Sequence, residues 1–498
     1  METLQRTANR GSISTGYNIE NSSVWESDLQ DQAYVTQGGT AGTRTKHTWS
    51  MWIKRTELGT RQMLFEGGTS NSVTTQLSLS FQTTDALEVR AGEYVNGSTA
   101  GTVYRLTNRL FRDIAAWYHI VAAFDTTQGT ANDRIKIWVN GVQETSFATT
   151  ANPSQNSDLG LFAANAQSSI GVSANNAFHV NGYIAHPALV YNAQLNADSF
   201  GEFDEDSGIW KPIDLEDVTF GTYGYWMKNE IKNGAGSGMA TDSSGNSKTF
   251  ANWDDTIYQS TDTPTNNFAV GNPFISAGGY FVTTNGNTKF VLGTAGPGNN
   301  IGGVSCLSTI AASKGKWYME MKNDLANDSV DSYARFGFVD VGTLENGGVD
   351  GKVIARPGSA GGAYFGGTGG GRYHYNNTAQ GSSTAWIRQI MGMALDLDNK
   401  KVYFHIDGTY TNSGDPANGT DNAGQYEMNT GGDGIYVDET WVLGASAYNL
   451  GIFLMNWGGH TVMPISSAAT DANGYGTFEY APPSGYYALC TKNLEEFG

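Results

Sequence analysis

Apolar and polar residues alternate along most of this chain with a period of two, in short runs set off by Gly, Asn and Ser. Successive side chains of an extended strand point to opposite faces, so this period predicts strands rather than helices. Arg134-Ile135-Lys136-Ile137-Trp138-Val139 shows the pattern best. Ile135, Ile137 and Val139 share one face, and Arg134, Lys136 and Trp138 the other. Asn140-Gly141 follows, a pair that tolerates positive φ and closes tight hairpins. Residues 48–55, 76–81, 87–91 and 117–125 are further strand candidates. In the second half, residues 315–321, 334–340, 386–396 and 401–406 read the same way, and the last runs into Asp407-Gly408. Trp117 leads to Asn140-Gly141 as Trp386 leads to Asp407-Gly408, either an internal echo of one sandwich type or the convergence that any β-meander produces.

The pattern predicts an all-β chain of two antiparallel β-sandwiches behind a short N-terminal arm. Residues 1–23 are polar, contain the basic stretch around Gln5–Gly11, and form the attachment arm. Residues 24–212 make the first sandwich. Residues 213–265 read as an irregular linker with one strand pair near 219–231. Residues 266–498 make the second sandwich, opening with strand text at 266–270 and 279–282 and an edge strand at 288–293. The glycine-rich stretch 358–371 reads as a long loop beside the second core.

Composition narrows the classes. A length of 498 residues accommodates two sandwiches of about 200–250 residues each. The 64 Gly follow no triplet period and accompany 12 Trp, 25 Tyr and 22 Phe. That excludes collagen and argues against a disordered chain. The formal charge is −19, which repels phosphate backbones and points away from nucleic acid and anionic membranes. No apolar run reaches the length of a membrane span, and no basic-apolar-small leader opens the chain; neither membrane insertion nor a signal peptide is expected. Cys306 and Cys490 match no metal or redox spacing, and whether they pair stays open.

Several runs resemble a known family. Trp49–Arg55, Trp117–Val121 with Val139-Asn140-Gly141, and Phe178–Ala185 resemble a concanavalin A-like, laminin-G type jelly roll of the kind found in virion proteins of marine and environmental tailed bacteriophages. The most specific run is Asp198-Ser199-Phe200-Gly201-Glu202-Phe203-Asp204-Glu205-Asp206-Ser207-Gly208-Ile209-Trp210-Lys211-Pro212. The block Thr261–Ala269 resembles a junction of the same family. Gly315–Glu320, Arg335–Phe338 and Val402–Phe404 resemble a SPRY-like sandwich, and Pro482–Thr491 its closing strand. The resemblance implies a structural virion protein, a tail-fibre or head or tail appendage component. It would be built as a homo-oligomer, a trimer or higher, against other virion proteins, and assembled in the host cytoplasm. The alternatives it leaves are a host-receptor (glycan) adhesin and a glycan-degrading depolymerase. One fold serves all three.

Candidate chemistry is sparse, and no enzyme is expected. A glycosidase needs two carboxylates facing across a cleft. Glu202, Asp204 and Asp206 share a side if extended, but precede Pro212 as an acidic turn would. The glycines before Arg372 lack the Lys-Ser/Thr of a phosphate loop. His119 is a lone strand histidine, and His179 and His186 have no cysteine near them. No cofactor is implied apart from calcium, which laminin-G type rims hold with oxygen ligands. Asp125, Asp133 and Asp158, and Asp396 with Asp398, are the residues to examine, and the metal assignment stays open. For sugar, an aromatic platform beside Asn or Gly is required. Trp52, Trp138, His374, Tyr375 and Trp457 are the candidate contacts for a glycan or a neighbouring subunit. Asn376, Asn377 and the run Asn456–His460 would form the rims.

Overall fold

The computed structural model describes residues 16–26, 33–36, 42–68, 76–91, 102–161, 166–173, 176–230, 239–250, 257–274, 281–292, 304–324, 335–341, 363–366, 372–375, 378–382, 388–419, 425–427, 440–447 and 451–498. The chain is all-β, with antiparallel sheets stacked as sandwiches. Backbone contacts divide it between Thr265 and Asn266, and each part is taken by itself.

In the first part the central strand is Lys46–Arg55, paired on one side with Trp117–Asp125 and on the other with Gly182–Tyr191. Ile135–Val139 and Val142–Gln143 extend this sheet outward, and Ser22–Trp25 and Tyr258–Ser260 close its far side. The facing sheet runs Phe147–Thr150, Thr102–Leu110, Ala86–Ala91, Leu77–Phe81, Gln62–Gly68, Gln167–Ile170 and Ala33–Thr36. Trp49, Met51 and Ile53 of the central strand point inward with Ile135, Ile137 and Val139, against Leu77, Leu79, Phe81, Leu87 and Val89. The period-two reading of residues 134–139 therefore describes the core face. Asn140 and Gly141 both have positive φ, 48° and 78°, as a two-residue hairpin with the sheet's twist requires.

Two expectations about boundaries are corrected. Residues 16–23 are not an arm. Ser22–Trp25 is a sheet strand between Gly182–Tyr191 and Tyr258–Ser260, and the Ile19 amide donates to Thr265 Oγ1 at 3.1 Å. Residues 1–15 lie outside the described residues. Nor is 213–265 a linker. Tyr225–Trp226 pairs with Gly182–Tyr191, and Tyr225, Met227, Met239, Phe250 and Ile257 are buried in the first core. Its strands are too short and too far apart in sequence to show a period.

The second part repeats the architecture. Lys316–Asn323 is central, between Ile390–Asp396 and Gly451–Asn456, with Lys401–Ile406 and Thr409–Tyr410 beyond. Lys289–Leu292 lies between Gly451–Asn456 and Phe281–Thr284, so the latter is the edge strand, not residues 288–293. The facing sheet runs Gly271–Asn272, Val304–Ala312, Trp441–Ala447, Arg335–Asp340, Ala363–Gly366, Arg372–Tyr375 and Thr378–Ser382. Ala363–Gly366 places a strand where a continuous loop was expected; the rest of 358–371 lies outside the described residues. Trp317, Met319 and Met321 face the core with Phe336, Met393 and Phe404. Asp407 and Gly408 again take positive φ, 46° and 80°. Helix Thr491–Phe497 ends the chain. Cys306 and Cys490 are both buried free thiols.

The boundary corrections predict how fragments behave. A fragment of residues 13–265 is expected to unfold in urea with one cooperative transition. A fragment of residues 24–212 lacks Tyr225, Met227 and Ile257, each worth about 1.5–3 kcal/mol of burial, and is expected to show none. A cooperative transition in the shorter fragment would contradict the assignment.

Candidate functional site

The outer face of the first central sheet carries chemistry but is closed. His119 lies opposite Trp52 in the register, and its ring stacks on Trp52 at 4.6 Å and on Trp210 at 5.9 Å. Trp210 Nε1 donates to His119 Nδ1 at 2.9 Å, and Ser50 Oγ lies 2.9 Å from Nε2. With Nδ1 accepting, the neutral ring carries its proton on Nε2 and donates to Ser50. Burial holds the imidazole down to about 3. Trp210 arrives on the hairpin Gly201–Phe203 with Trp210–Pro212. A side chain at Gly141 would overlap the Trp210 ring, so the glycine seats it. The acidic run between these strands is a capped turn. Asp204 Oδ1 accepts from Ser207 N and Oγ, both at 2.9 Å, and Lys211 reaches Oδ2 at 3.1 Å. These hydrogen bonds hold Asp204 down to about 2.

Lower on the same face, Lys54 Nζ meets Asp262 Oδ2 at 2.7 Å with both side chains 0 % exposed. Trp117 Nε1 donates to Asp262 Oδ1 at 3.2 Å. An isolated buried charge costs several kcal/mol, so each member requires the other.

The second sandwich has its own buried polar cluster, which sequence reasoning missed. Glu320 Oε1 accepts from Tyr318 Oη at 3.0 Å and Tyr480 N at 2.8 Å. Its Oε2 accepts from Glu479 N at 2.9 Å and Asn456 Nδ2 at 3.2 Å. His405 Nε2 lies 2.7 Å from Tyr318 Oη, and His405 Nδ1 accepts from Gly408 N at 3.2 Å. A side chain at Gly392 would overlap the His405 ring. Burial pushes the Glu320 carboxyl up to about 7, against the pull of its four donors. The only sequence trace was Glu320 alternating with Trp317, Met319 and Met321.

Of the expected sugar contacts, the three tryptophans are interior. Trp52, Trp138 and Trp457 are 5 %, 9 % and 0 % exposed. Trp52 is covered by His119, and Trp457 belongs to the second core. Asn456 is committed to Glu320, and His460 is buried, so the run 456–460 is no open rim. His374 and Tyr375 end strand Arg372–Tyr375, paired with Ala363–Gly366 and Thr378–Ser382. Asn376 and Asn377 lie outside the described residues. The acids examined for calcium are engaged by donors. Asp125 takes Thr127 N and Oγ1 at 2.9 and 2.6 Å, and Asp133 pairs with Lys136 at 3.2 Å. Asp158 pairs with Arg44, Asp396 with Lys316 at 2.9 Å, and Asp398 takes Gly315 N at 2.8 Å. Among the described residues no group of three or more His, Cys, Asp or Glu is placed to hold a metal.

An open groove of about 730 Å³ lies beside the closed face. Its lining comes from two segments, Tyr191, Asn192, Ala193, Leu195 and Ser199 from one and Ile213, Asp214, Asp217, Val218, Thr219, Gly221 and Thr222 from the other. The Tyr191 amide donates to Phe220 O at 2.9 Å, and the Asn192 amide to Lys46 O at 3.1 Å. Thr48 Oγ1 accepts from Leu195 N at 2.9 Å. The groove is thus fixed to the central sheet on one side. Aliphatic surface sits among hydroxyls, an amide and two carboxylates.

A family model described as the Concanavalin A-like lectin/glucanases superfamily, of laminin-G type, matches residues 29–199. The first sandwich carries a concanavalin A-like, laminin-G type jelly-roll domain. No curated protein matches the chain. Among solved structures, a heptameric SAP-like pentraxin from Limulus polyphemus is 14 % identical, covers 36 % of this chain and 80 % of its own, with TM-score 0.26. The SPRY domain of human HERC1 is 10 % identical, covers 37 % of this chain and 96 % of its own, at 0.25. Domains LG4-5 of mouse laminin α1 are 9 % identical and cover 95 % of this chain and 97 % of their own, at 0.27. Likenesses this distant carry no conclusion about function.

The buried groups predict different responses to acid in the two sandwiches. Burial holds His47, His119 and His186 of the first near 3, against 6.5 for the free side chain. Below pH 6.5 the unfolded chain binds protons that the folded one refuses. Their contribution is complete above pH 6.5 and falls as pH drops, by up to about 1.4 kcal/mol per pH unit for each. In the second sandwich His405, also near 3, acts the same way. Glu320 opposes it, since its folded value near 7 lies above the free 4.5. Its stabilisation is complete below pH 4.5 and is lost as pH rises through 7. Between pH 6.5 and 4.5 the two slopes offset. Amide exchange with mass spectrometry, corrected for intrinsic rates, is expected to show protection falling in residues 46–55 and 117–125 but holding in 316–323. Equal loss in both would contradict these assignments.

Proposed function

We propose that this chain is a non-catalytic structural protein displayed on a tailed-bacteriophage particle, and that its first sandwich binds saccharide in the groove between Tyr191 and Thr222. The observation that carries the binding reading is the groove itself. Saccharides present C–H faces and hydroxyls together, and this lining sets Ala193, Leu195, Ile213 and Val218 among Asn192, Ser199, Thr219 and Thr222. Its volume lies in the range of small-molecule sites. The virion reading is supported by the run Asp198–Pro212 and the block Thr261–Ala269. On this reading the second sandwich is of SPRY type and the protein is a homo-oligomer, a trimer or higher, against other virion proteins. Many weak sites on one particle then add to useful avidity where geometry lets them engage together.

Two measurements test it. Mass spectrometry of purified particles is expected to find the protein as a stoichiometric component, and its absence would end the virion reading. A glycan array with the full chain is expected to give binding that Thr222→Trp or Ser199→Trp, which fill the groove, reduces at least about tenfold with an unchanged melting temperature. Binding indifferent to both substitutions would place the site elsewhere.

A further inference from the structure

We propose that the groove selects by charge: it takes neutral or amino-bearing saccharides and turns away those carrying carboxylate, sulfate or phosphate groups. This deepens the saccharide reading and rests on it.

Asp214 and Asp217 supply the only formal charges among the lining residues, which include no Lys or Arg. Both side chains are exposed. Asp214 Oδ1 accepts the Glu216 amide at 3.0 Å. Among the described residues Asp214 Oδ2 takes no hydrogen bond, and Asp217 takes neither a hydrogen bond nor an ion pair. Two cations approach this segment and neither is ion-paired with Asp214 or Asp217: Lys248 Nζ lies 5.3 Å over the ring of Tyr223, which packs on Tyr191. Lys228 Nζ pairs with Glu216 at 3.3 Å and lies 4.7 Å over the Trp226 ring. The neighbourhood is negative beyond the groove. The Tyr17 hydroxyl is pushed well above the usual tyrosine range, first by burial and then by Asp214, Glu230, Glu216 and Glu20.

The expected size follows from a charged substituent held about 5 Å from a carboxylate. In solvent each such encounter weakens an anion by about fourfold, so the pair weakens it by about tenfold or more. An ammonium gains by the same factor. The effect is Coulombic and exposed to solvent, so salt suppresses it.

Calorimetry on the full chain tests this with three tetrasaccharide probes: a neutral hexose oligomer, a chitosan oligomer and an oligogalacturonate. The uronate is expected to bind at least about tenfold more weakly than the neutral probe, and the chitosan probe at least as tightly. The ratio between uronate and neutral probe should shrink to within about threefold in the Asp214→Asn, Asp217→Asn double variant. It should shrink likewise in the unaltered protein at 0.5 M salt, where folding of the variant is not at issue. Equal binding of uronate and neutral probes by the unaltered protein would overturn the selection and leave the saccharide reading standing. A ratio that survives both the substitutions and salt would overturn the role of the two carboxylates. Binding of no probe would overturn the saccharide reading and this inference with it.

Discussion

The first sandwich depends on one constraint: the three middle strands of its central sheet, Lys46–Arg55, Trp117–Asp125 and Gly182–Tyr191, are buried on both faces, so the polar groups of their outer face must find partners in the chain that covers them. Lys54 and Asp262 meet this demand most sharply, as an ion pair with no exposed surface on either side chain. Its worth lies less in net stability than in what it forbids. A buried pair replaced by apolar residues is often neutral, whereas one member left alone costs several kcal/mol. Asp262 therefore docks its segment in one place. Ser22 Oγ donates to Asp262 O at 2.6 Å, which ties the first strand to the same point. Higher on the face, His119 is held between Trp52 and Trp210 with both ring nitrogens hydrogen-bonded.

The second sandwich solves the same problem with a carboxylate. Glu320 gathers two backbone amides, an amide side chain and a phenol, and so anchors the returning segment at Glu479 and Tyr480 to its central strand. The functional consequence is common to both sandwiches. The tryptophans that the sequence offered as a sugar platform, Trp52, Trp138 and Trp457, are spent on covering polar groups or filling cores. On the reading proposed above, recognition by the first sandwich falls to the groove lined by Tyr191 and Thr222.

The alternation in residues 135–139, the Asn140-Gly141 turn and the repeat of that design at Asp407-Gly408 were legible because strand periodicity and turn chemistry are local. The whole all-β architecture follows from such signals. The cover was not legible. A period of two distinguishes inward from outward, but it cannot distinguish an outward residue facing water from one facing chain that returns over a hundred residues later. Trp52 therefore read as a platform and proved to be interior. Tyr225-Trp226-Met227 lies in the strand pair expected near 219–231, but that pair reads as part of a linker because nothing local shows which sheet a two-residue strand joins. The run Asp198–Pro212 stood out as specific, and its physical reason is the seating of Trp210 over His119 beside Gly141. The groove itself was invisible, because seven of its lining residues, from Ile213 to Thr222, lie in the stretch taken for a linker.

A double-mutant cycle on Lys54 and Asp262, read by urea unfolding of the full chain, tests the central claim most directly. Lys54→Met alone is expected to destabilise the first sandwich by about 3–5 kcal/mol, because it strands a buried carboxylate. Adding Asp262→Leu is expected to restore most of that loss, less the acceptor of Trp117. If Lys54→Met costs under about 1 kcal/mol, as for a solvent-exposed pair, the outer face is open. The account of a sealed sheet with its recognition surface displaced to the groove would then be wrong.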